Sequence, residues 1–137
     1  KAEKNGEVPI GAVITLQNKL IAQAGNAVIS RGIPTAHAEI LAIAKAAKKI
    51  GNYRLSGCTL YATLEPCIMC VGAMIHARIA RVVYGCPDEK WGGLESIVEF
   101  PKLIGLNHTF VIEKGLGADE SKKLLQEFFR KKRHKFK

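Results

Sequence analysis

The sequence predicts a layered α/β fold, on three observations. Segments rich in Val, Ile and Ala alternate with segments of helical periodicity, which is the order α/β layers use. Hydrophobic residues make up 47% of the 137, enough for a real core. The length suits one domain spanning residues 1–137, with no internal repeat and no linker to divide it.

Taken in order, Lys1–Asn5 is polar and helix-compatible, and Asn5-Gly6 reads as a helix stop, so the chain enters at the end of a helix. Pro9–Leu16 is a strand, Gln17-Asn18-Lys19 a turn, and Leu20–Ala27 a second strand, which together predict a hairpin. Arg31-Gly32-Ile33-Pro34 is a loop. Thr35 is the expected N-cap of a helix running to about Ile50, with Ile40, Ile43, Ala44, Ala47 and Ile50 as its apolar stripe. Cys58–Leu64 is a third strand. Pro66 suits the entry to a short apolar helix over Cys67–Ala77. Ile79–Tyr84 is a fourth strand, and Gly85–Gly93 a loop holding Trp91 and two adjacent glycines. Leu94–Phe100 fits neither strand nor helix cleanly. Thr109–Ile112 is a last short strand, and Asp119 caps a final helix from about Glu120 to Lys132.

The formal charge of +9 is unevenly placed. Arg130–Lys137 holds six Lys or Arg and no acid, while the rest carries 15 basic and 12 acidic residues. A balanced body with a basic tail points to a polyanion, nucleic acid before a membrane surface; a solvated helix end is the plain alternative. No apolar run approaches the roughly 18 residues of a membrane span, and no signal peptide is visible, so the expectation is a soluble, cytoplasmic protein. Four cysteines, two in a Cys-x-x-Cys, read as metal or redox chemistry rather than a disulfide framework.

The chemistry lies in two elements. Pro34-Thr35-Ala36-His37-Ala38-Glu39 supplies a His-x-Glu, and Leu64-Glu65-Pro66-Cys67-Ile68-Met69-Cys70 supplies two thiols three residues apart. Imidazole and thiolates suit a tetrahedral zinc, and three protein ligands leave the fourth position for water, as catalytic sites do. Two thiolates cancel the ion's charge, so the water needs a base, and Glu39 is the candidate. Residues two apart on a helix point roughly 200° from each other. His37 and Glu39 can therefore share a site only at the helix N-terminus. Cys67 and Cys70 also fall in a first turn, where the helix dipole favours thiolate. A structural zinc site would need a fourth ligand from Cys58, Cys86, His76 or His108. A redox Cys-x-x-Cys would need neither His37 nor Glu39. Cys58 and Cys86 read most simply as small core residues, Met69 and Met74 as packing, and His76 and His108 as packing or surface.

These elements resemble the signature of the zinc-dependent nucleobase deaminases. Gly6-Glu7-Val8-Pro9-Ile10-Gly11-Ala12-Val13, Gly72-Ala73-Met74-Ile75-His76-Ala77-Arg78-Ile79, Leu106-Asn107-His108 and Glu127-Phe128-Phe129-Arg130 extend the resemblance to the tRNA-specific adenosine deaminase branch, over nearly the whole chain. The resemblance implies a cytidine deaminase-like three-layer α/β/α sandwich on a five-stranded mixed sheet. It implies one Zn2+ per subunit on His37, Cys67 and Cys70. A zinc-activated hydroxide would attack C6 of the wobble adenosine in a tRNA anticodon stem-loop, typically of tRNA-Arg. Glu39 would shuttle the protons and inosine would form. Asn26 would hydrogen-bond the base, the Ala38 N–H would hold the new oxygen, and the Pro66 carbonyl would accept from the leaving amino group. Val8 would line the pocket. Proteins of this branch are homodimers with the pocket near the interface.

Several residues suit an RNA partner on separate grounds. Arg130, Lys131, Lys132 and Arg133 would meet phosphates, Phe129 would stack on a base or join the core, and Asp88 and Lys90 would face the anticodon strand. Two features depart from the branch: Ile33 stands where an acid is usual, and Trp91 is bulkier than its loop calls for. The rival readings are a free-base guanine or cytosine deaminase, and a non-catalytic zinc-stabilised RNA-binding subunit.

Overall fold

A computed structural model describes residues 2–103 and 105–135, with the side chains of residues 134 and 135 outside the description. The end of the expected basic tail, Phe136 and Lys137, therefore lies outside the described residues. The fold is laid down by a hairpin. Strands β1 (Gly11–Leu16) and β2 (Lys19–Gly25) pair antiparallel. Gln17 and Asn18 turn the corner at φ 51° and 62°. Two successive left-handed residues match the twist of the flanking strands, as in type I′ hairpins.

Strands β3 (Thr59–Leu64), β4 (Arg81–Cys86) and β5 (Val111–Lys114) complete a five-stranded sheet among the described residues, in the order β2-β1-β3-β4-β5. The pairing of β1 with β3 is antiparallel, and those of β3 with β4 and β4 with β5 are parallel. The sheet is thus mixed, and each parallel pair needs a crossover.

Register sets the two faces. Ala12 opposes Ala62, Ile14 opposes Leu60, Leu60 opposes Val82 and Ala62 opposes Tyr84, all of them buried. This face joins one core with helices α2 (Ala38–Ile50) and α3 (Ile68–His76). The opposite face takes helix α4 (Ala118–Lys135): a Cβ added to Gly85 would lie 3.0 Å from Ser121 Oγ. Helices thus cover both sides of the sheet, in three layers.

Local expectations were corrected in five places. The buried face of α2 is Ala38, Ala42 and Ala46, while Ala44 is exposed and Ile40, Ile43 and Ala47 flank the core. Alanines let the helix axis approach the sheet, and the longer isoleucines fill the sides. The N-cap of α2 is His37, not Thr35. The last strand falls two residues later than expected, and the last helix is longer at both ends. A one-turn helix, α1 (Val28–Arg31), occupies a stretch where no element was expected and takes in Arg31 from the expected loop, and Glu7 explains it. The buried Glu7 carboxylate accepts from the N–H groups of Ile29 (3.2 Å) and Ser30 (2.6 Å), capping that turn from 22 residues away.

Leu94–Phe100 forms neither strand nor long helix, and a 3-10 turn follows at Phe100–Lys102. Among the described residues no helix is long and apolar enough to cross a membrane.

Candidate metal centre and active site

Two helix starts meet at one point. His37 is the N-cap of α2 (φ −73°, ψ 151°) and Cys67 the N-cap of α3 (φ −76°, ψ 171°). Extended backbone at each cap swings the side chain past the helix end. This removes the angular conflict between His37 and Glu39, because His37 is not on the helix. Cys70 is the third helical residue of α3. Side chains at the N-cap and third positions meet over a helix end, as in a capping box, and here the pair is two thiols.

The result is a cluster of His37, Cys67 and Cys70 with donor atoms all within 4.8 Å of one another. Among the described residues it is the one such group of three or more His, Cys, Asp or Glu donors. His37 Nδ1 lies 3.7 Å from Cys67 Sγ and 3.5 Å from Cys70 Sγ. Sharing a proton with Cys70, Cys67 is pulled down to about 5, while the same contact and burial push the Cys70 thiol up. Only a cation among them lets both ionise.

Glu39 follows one residue into α2. Its side chain is 4% exposed, and Oε1 is buried without a hydrogen-bond partner. Burial pushes its carboxyl above the usual carboxylate range; the Cys70 thiol and the His37 ring pull the other way. An orphan carboxylate oxygen next to a donor cluster is costly for the fold alone.

The wall of the site is a loop that local sequence reasoning did not explain. Glu65, 2% exposed, accepts from the N–H groups of Asp88 (3.1 Å), Leu94 (3.1 Å), Glu95 (2.9 Å) and Ser96 (3.1 Å), and from the Ser96 hydroxyl. Burial alone would raise its pKa, but these donors outweigh it and hold the carboxyl low. Gly92 forms a bridge with Cys67, and the Gly93 N–H donates to the Pro66 carbonyl at 2.8 Å. Both glycines are required by this approach. A Cβ on Gly92 would collide with the Glu65 carboxylate, and one on Gly93 would lie 2.8 Å from Ile68 N. The available signals were a carboxylate set between Leu64 and Pro66, and the Gly92-Gly93 pair.

The remaining site residues fall into place unevenly. Ala38 is fully buried at the first helical position, where the N–H has no acceptor within its helix. The Ala27 N–H donates to Ala36 O at 3.0 Å, which brings the backbone just after Asn26 against the backbone just before His37. Val8 is half-buried, next to the Glu7 anchor. Lys90, Phe129, Lys132 and Arg133 line one open cleft of about 620 Å³. Phe128 is the core residue of its pair at 7% exposure, whereas Phe129 is 47% exposed. Asp88 is committed to its own turn, its Oδ1 accepting from the N–H groups of Lys90 and Trp91. Lys131 lies 3.9 Å from Glu3, and Arg130 is exposed outside the cleft. Cys58 and Cys86 are buried with their thiols pushed up by burial, and Cys58 lies in the main core. His76 is exposed, and His108 Nε2 meets Ile79 O at 2.8 Å.

A mixed α/β sheet that presents a His-x-Glu and a Cys-x-x-Cys from two helix starts has the architecture of a hydrolytic nucleobase deaminase. Residues 1–133 match the MafB19-like deaminase family, and the chain belongs to it. The tRNA-specific adenosine deaminase of Haemophilus influenzae is 46% identical over 134 residues, covering 97% of this chain and 78% of that protein. A solved structure from studies of A-to-I editing by tRNA:A34 deaminases at the wobble position of transfer RNA is 44% identical. It superposes with a TM-score of 0.88 over 90% of each chain. The guanine deaminase of Nitrosomonas europaea is more distant, at 27% identity and a TM-score of 0.70, covering 87% of this chain and 71% of its own.

Proposed function

We propose that the chain is a zinc-dependent tRNA adenosine deaminase that converts the wobble adenosine of an anticodon loop, typically of tRNA-Arg, to inosine. The observation that carries this reading is the His37-Cys67-Cys70 cluster with the buried, unpartnered Glu39 beside it. Zinc fits the donor set. Tetrahedral bonds of about 2.3 Å to sulfur and about 2.05 Å to nitrogen place S and N about 3.6 Å apart. The contacts here are 3.5 and 3.7 Å. With no fourth His, Cys, Asp or Glu in the cluster among the described residues, His37, Cys67 and Cys70 would hold the ion and leave a position for water.

When bound, the ion would acidify a water in that position. Glu39 accepts the water's proton, and burial, which raises its pKa, makes it a stronger base than an exposed carboxylate. It then passes the proton to N1 of the base as oxygen adds at C6, takes the second proton from that oxygen, and delivers it to the amino nitrogen as the C6–N bond breaks. Adenosine and water become inosine and ammonia. The Ala38 N–H donates to the oxygen at C6. The Pro66 carbonyl keeps one lone pair for the amino group, since Gly93 occupies the other. Asn26 hydrogen-bonds the base and Val8 packs against it.

The cleft of Lys90, Phe129, Lys132 and Arg133 supports an RNA substrate, as it joins cations to an exposed ring. An anticodon loop also presents its bases unpaired, so extrusion costs little. The reading includes a cytoplasmic homodimer with one zinc per subunit. A free-base deaminase has no use for that cleft, and a pure RNA-binding subunit has none for Glu39.

The test is inosine formation by zinc-loaded protein on an anticodon stem-loop with adenosine at the wobble position, beside free adenine, guanine and cytosine. Inosine in the stem-loop alone is the expected result. Ammonia from a free base alone would replace the RNA substrate with a small one, and activity on neither would leave the binding-subunit reading.

A further inference from the structure

Trp91 is the lone tryptophan of the chain and is 72% exposed. A large ring left in water contributes little to folding. Its backbone, by contrast, is tightly held. The Trp91 N–H donates to Asp88 Oδ1 at 3.2 Å, and the Gly92 N–H donates to Asp88 O at 2.9 Å. The Ile97 N–H donates to Gly92 O at 3.0 Å, and the four N–H groups on Glu65 secure both ends of the loop. A loop already fixed spares a partner the cost of ordering its backbone when it covers this side chain.

Position and charge say what that something is. Gly92 faces Cys67 across a β-bridge, so their Cα atoms lie about 5 Å apart. Adding the roughly 3.8 Å between successive Cα atoms puts Trp91 within about 9 Å of the metal-ligand turn. A nucleotide next to a base lodged at the cluster falls within reach of a side chain placed there. On the other side Trp91 adjoins Lys90, which lines the cleft with Phe129, Lys132 and Arg133. Aromatic faces beside cations are the surface that single-stranded nucleic acid recognises, whereas a second copy of the same cationic surface would be repelled.

The geometry points to Trp91 as a stacking platform for the nucleotide flanking the reacting adenosine, and so as a residue that sets how firmly this enzyme grips the anticodon loop and which neighbour it prefers. This rests on the RNA substrate proposed above. Purines, with the larger face, stack better here than pyrimidines.

The lone tryptophan makes the test direct. Zinc-loaded protein is titrated with the wobble-adenosine stem-loop, and Trp91 emission is followed. Quenching is expected, and it should vanish when one of the two flanking nucleotides is made abasic. Trp91→Ala should raise KM for the stem-loop by about 5- to 150-fold, the range of base–aromatic stacking, with the loss in KM rather than kcat. Trp91→Phe should recover most of it. Inosine formed with unchanged KM in Trp91→Ala, and no quenching in the parent, overturns the platform while leaving the deaminase reading intact. Emission that follows protein concentration and ignores RNA assigns Trp91 to a protein interface and also overturns it. No inosine from the parent removes the substrate reading, and the platform with it.

Discussion

The sharpest test of the structure is Glu65→Gln. In the parent, Oε2 accepts from Leu94, Glu95 and Ser96, and Oε1 from Asp88 and the Ser96 hydroxyl. An amide keeps one acceptor oxygen. Placed toward Leu94, it retains three N–H bonds but turns its own NH2 against the Asp88 N–H. One donor is then unpaired in a buried place, at about 1–3 kcal/mol, and the other bonds lose their charge. The sum is about 2–4 kcal/mol, which at this chain length lowers Tm by about 8–15 °C. Glu65→Ala abandons every bond and should reach the upper end of single substitutions, about 4–5 kcal/mol. The assay is thermal unfolding of zinc-loaded protein, followed by Trp91 emission because Trp91 sits in the loop concerned. The pH dependence has a defined sign. Glu65 is held below its ordinary value of 4.5, so its stabilisation is complete above that pH and is lost as pH falls through the native value. The gap between parent and Glu65→Gln should therefore close in acid. A Tm within 2 °C of the parent at pH 7 would refute the claim that this carboxylate organises the wall of the site.

Other outcomes follow from the same geometry. Glu39→Gln should still bind zinc yet lose at least about 100-fold in turnover. In the metal-free protein it should be more stable than the parent at pH 8. The parent's buried carboxyl is pushed above 4.5, so its stability is full below that value and lost as pH rises through the native one. Thermal unfolding in chelator across pH checks this, and a parent stabler than the variant at pH 8 would contradict it. Chelation should expose Cys67 to alkylation first, since its pKa of about 5 leaves it thiolate at neutral pH while Cys58 and Cys86 stay buried. Peptide mass spectrometry reads the order, and modification of Cys58 ahead of Cys67 would count against it. Lys132→Ala with Arg133→Ala should weaken stem-loop binding and flatten its dependence on salt by about 0.7 per lost phosphate contact. An unchanged salt slope would take these residues out of the RNA surface.

The sequence alone was enough for whatever depends on neighbours in the chain. Alternation of strands and helices defined the α/β class. The hairpin, α3 and the body of α2 followed from periodicity and turn residues. The His-x-Glu and Pro-Cys-x-x-Cys spacings named the donors, because ligand chemistry is set by residue type and short spacing. Thr35 misled because several residues before α2 were acceptable caps, and local propensity does not rank them. Only the folded chain made His37 the cap, with its side chain free to leave the helix and meet thiols 30 and 33 residues away. The same limit hid Glu7 and Glu65. A carboxylate's partners here are backbone N–H groups 22 to 31 residues distant, and every residue but proline offers one, so no residue type advertises the match. Phe128 and Phe129 were interchangeable on the page, and the helix phase against the sheet buried one and exposed the other. Chain chemistry determined which groups could serve as donors and base. The tertiary structure decided which of them meet, because that depends on register and packing over distances local sequence does not encode.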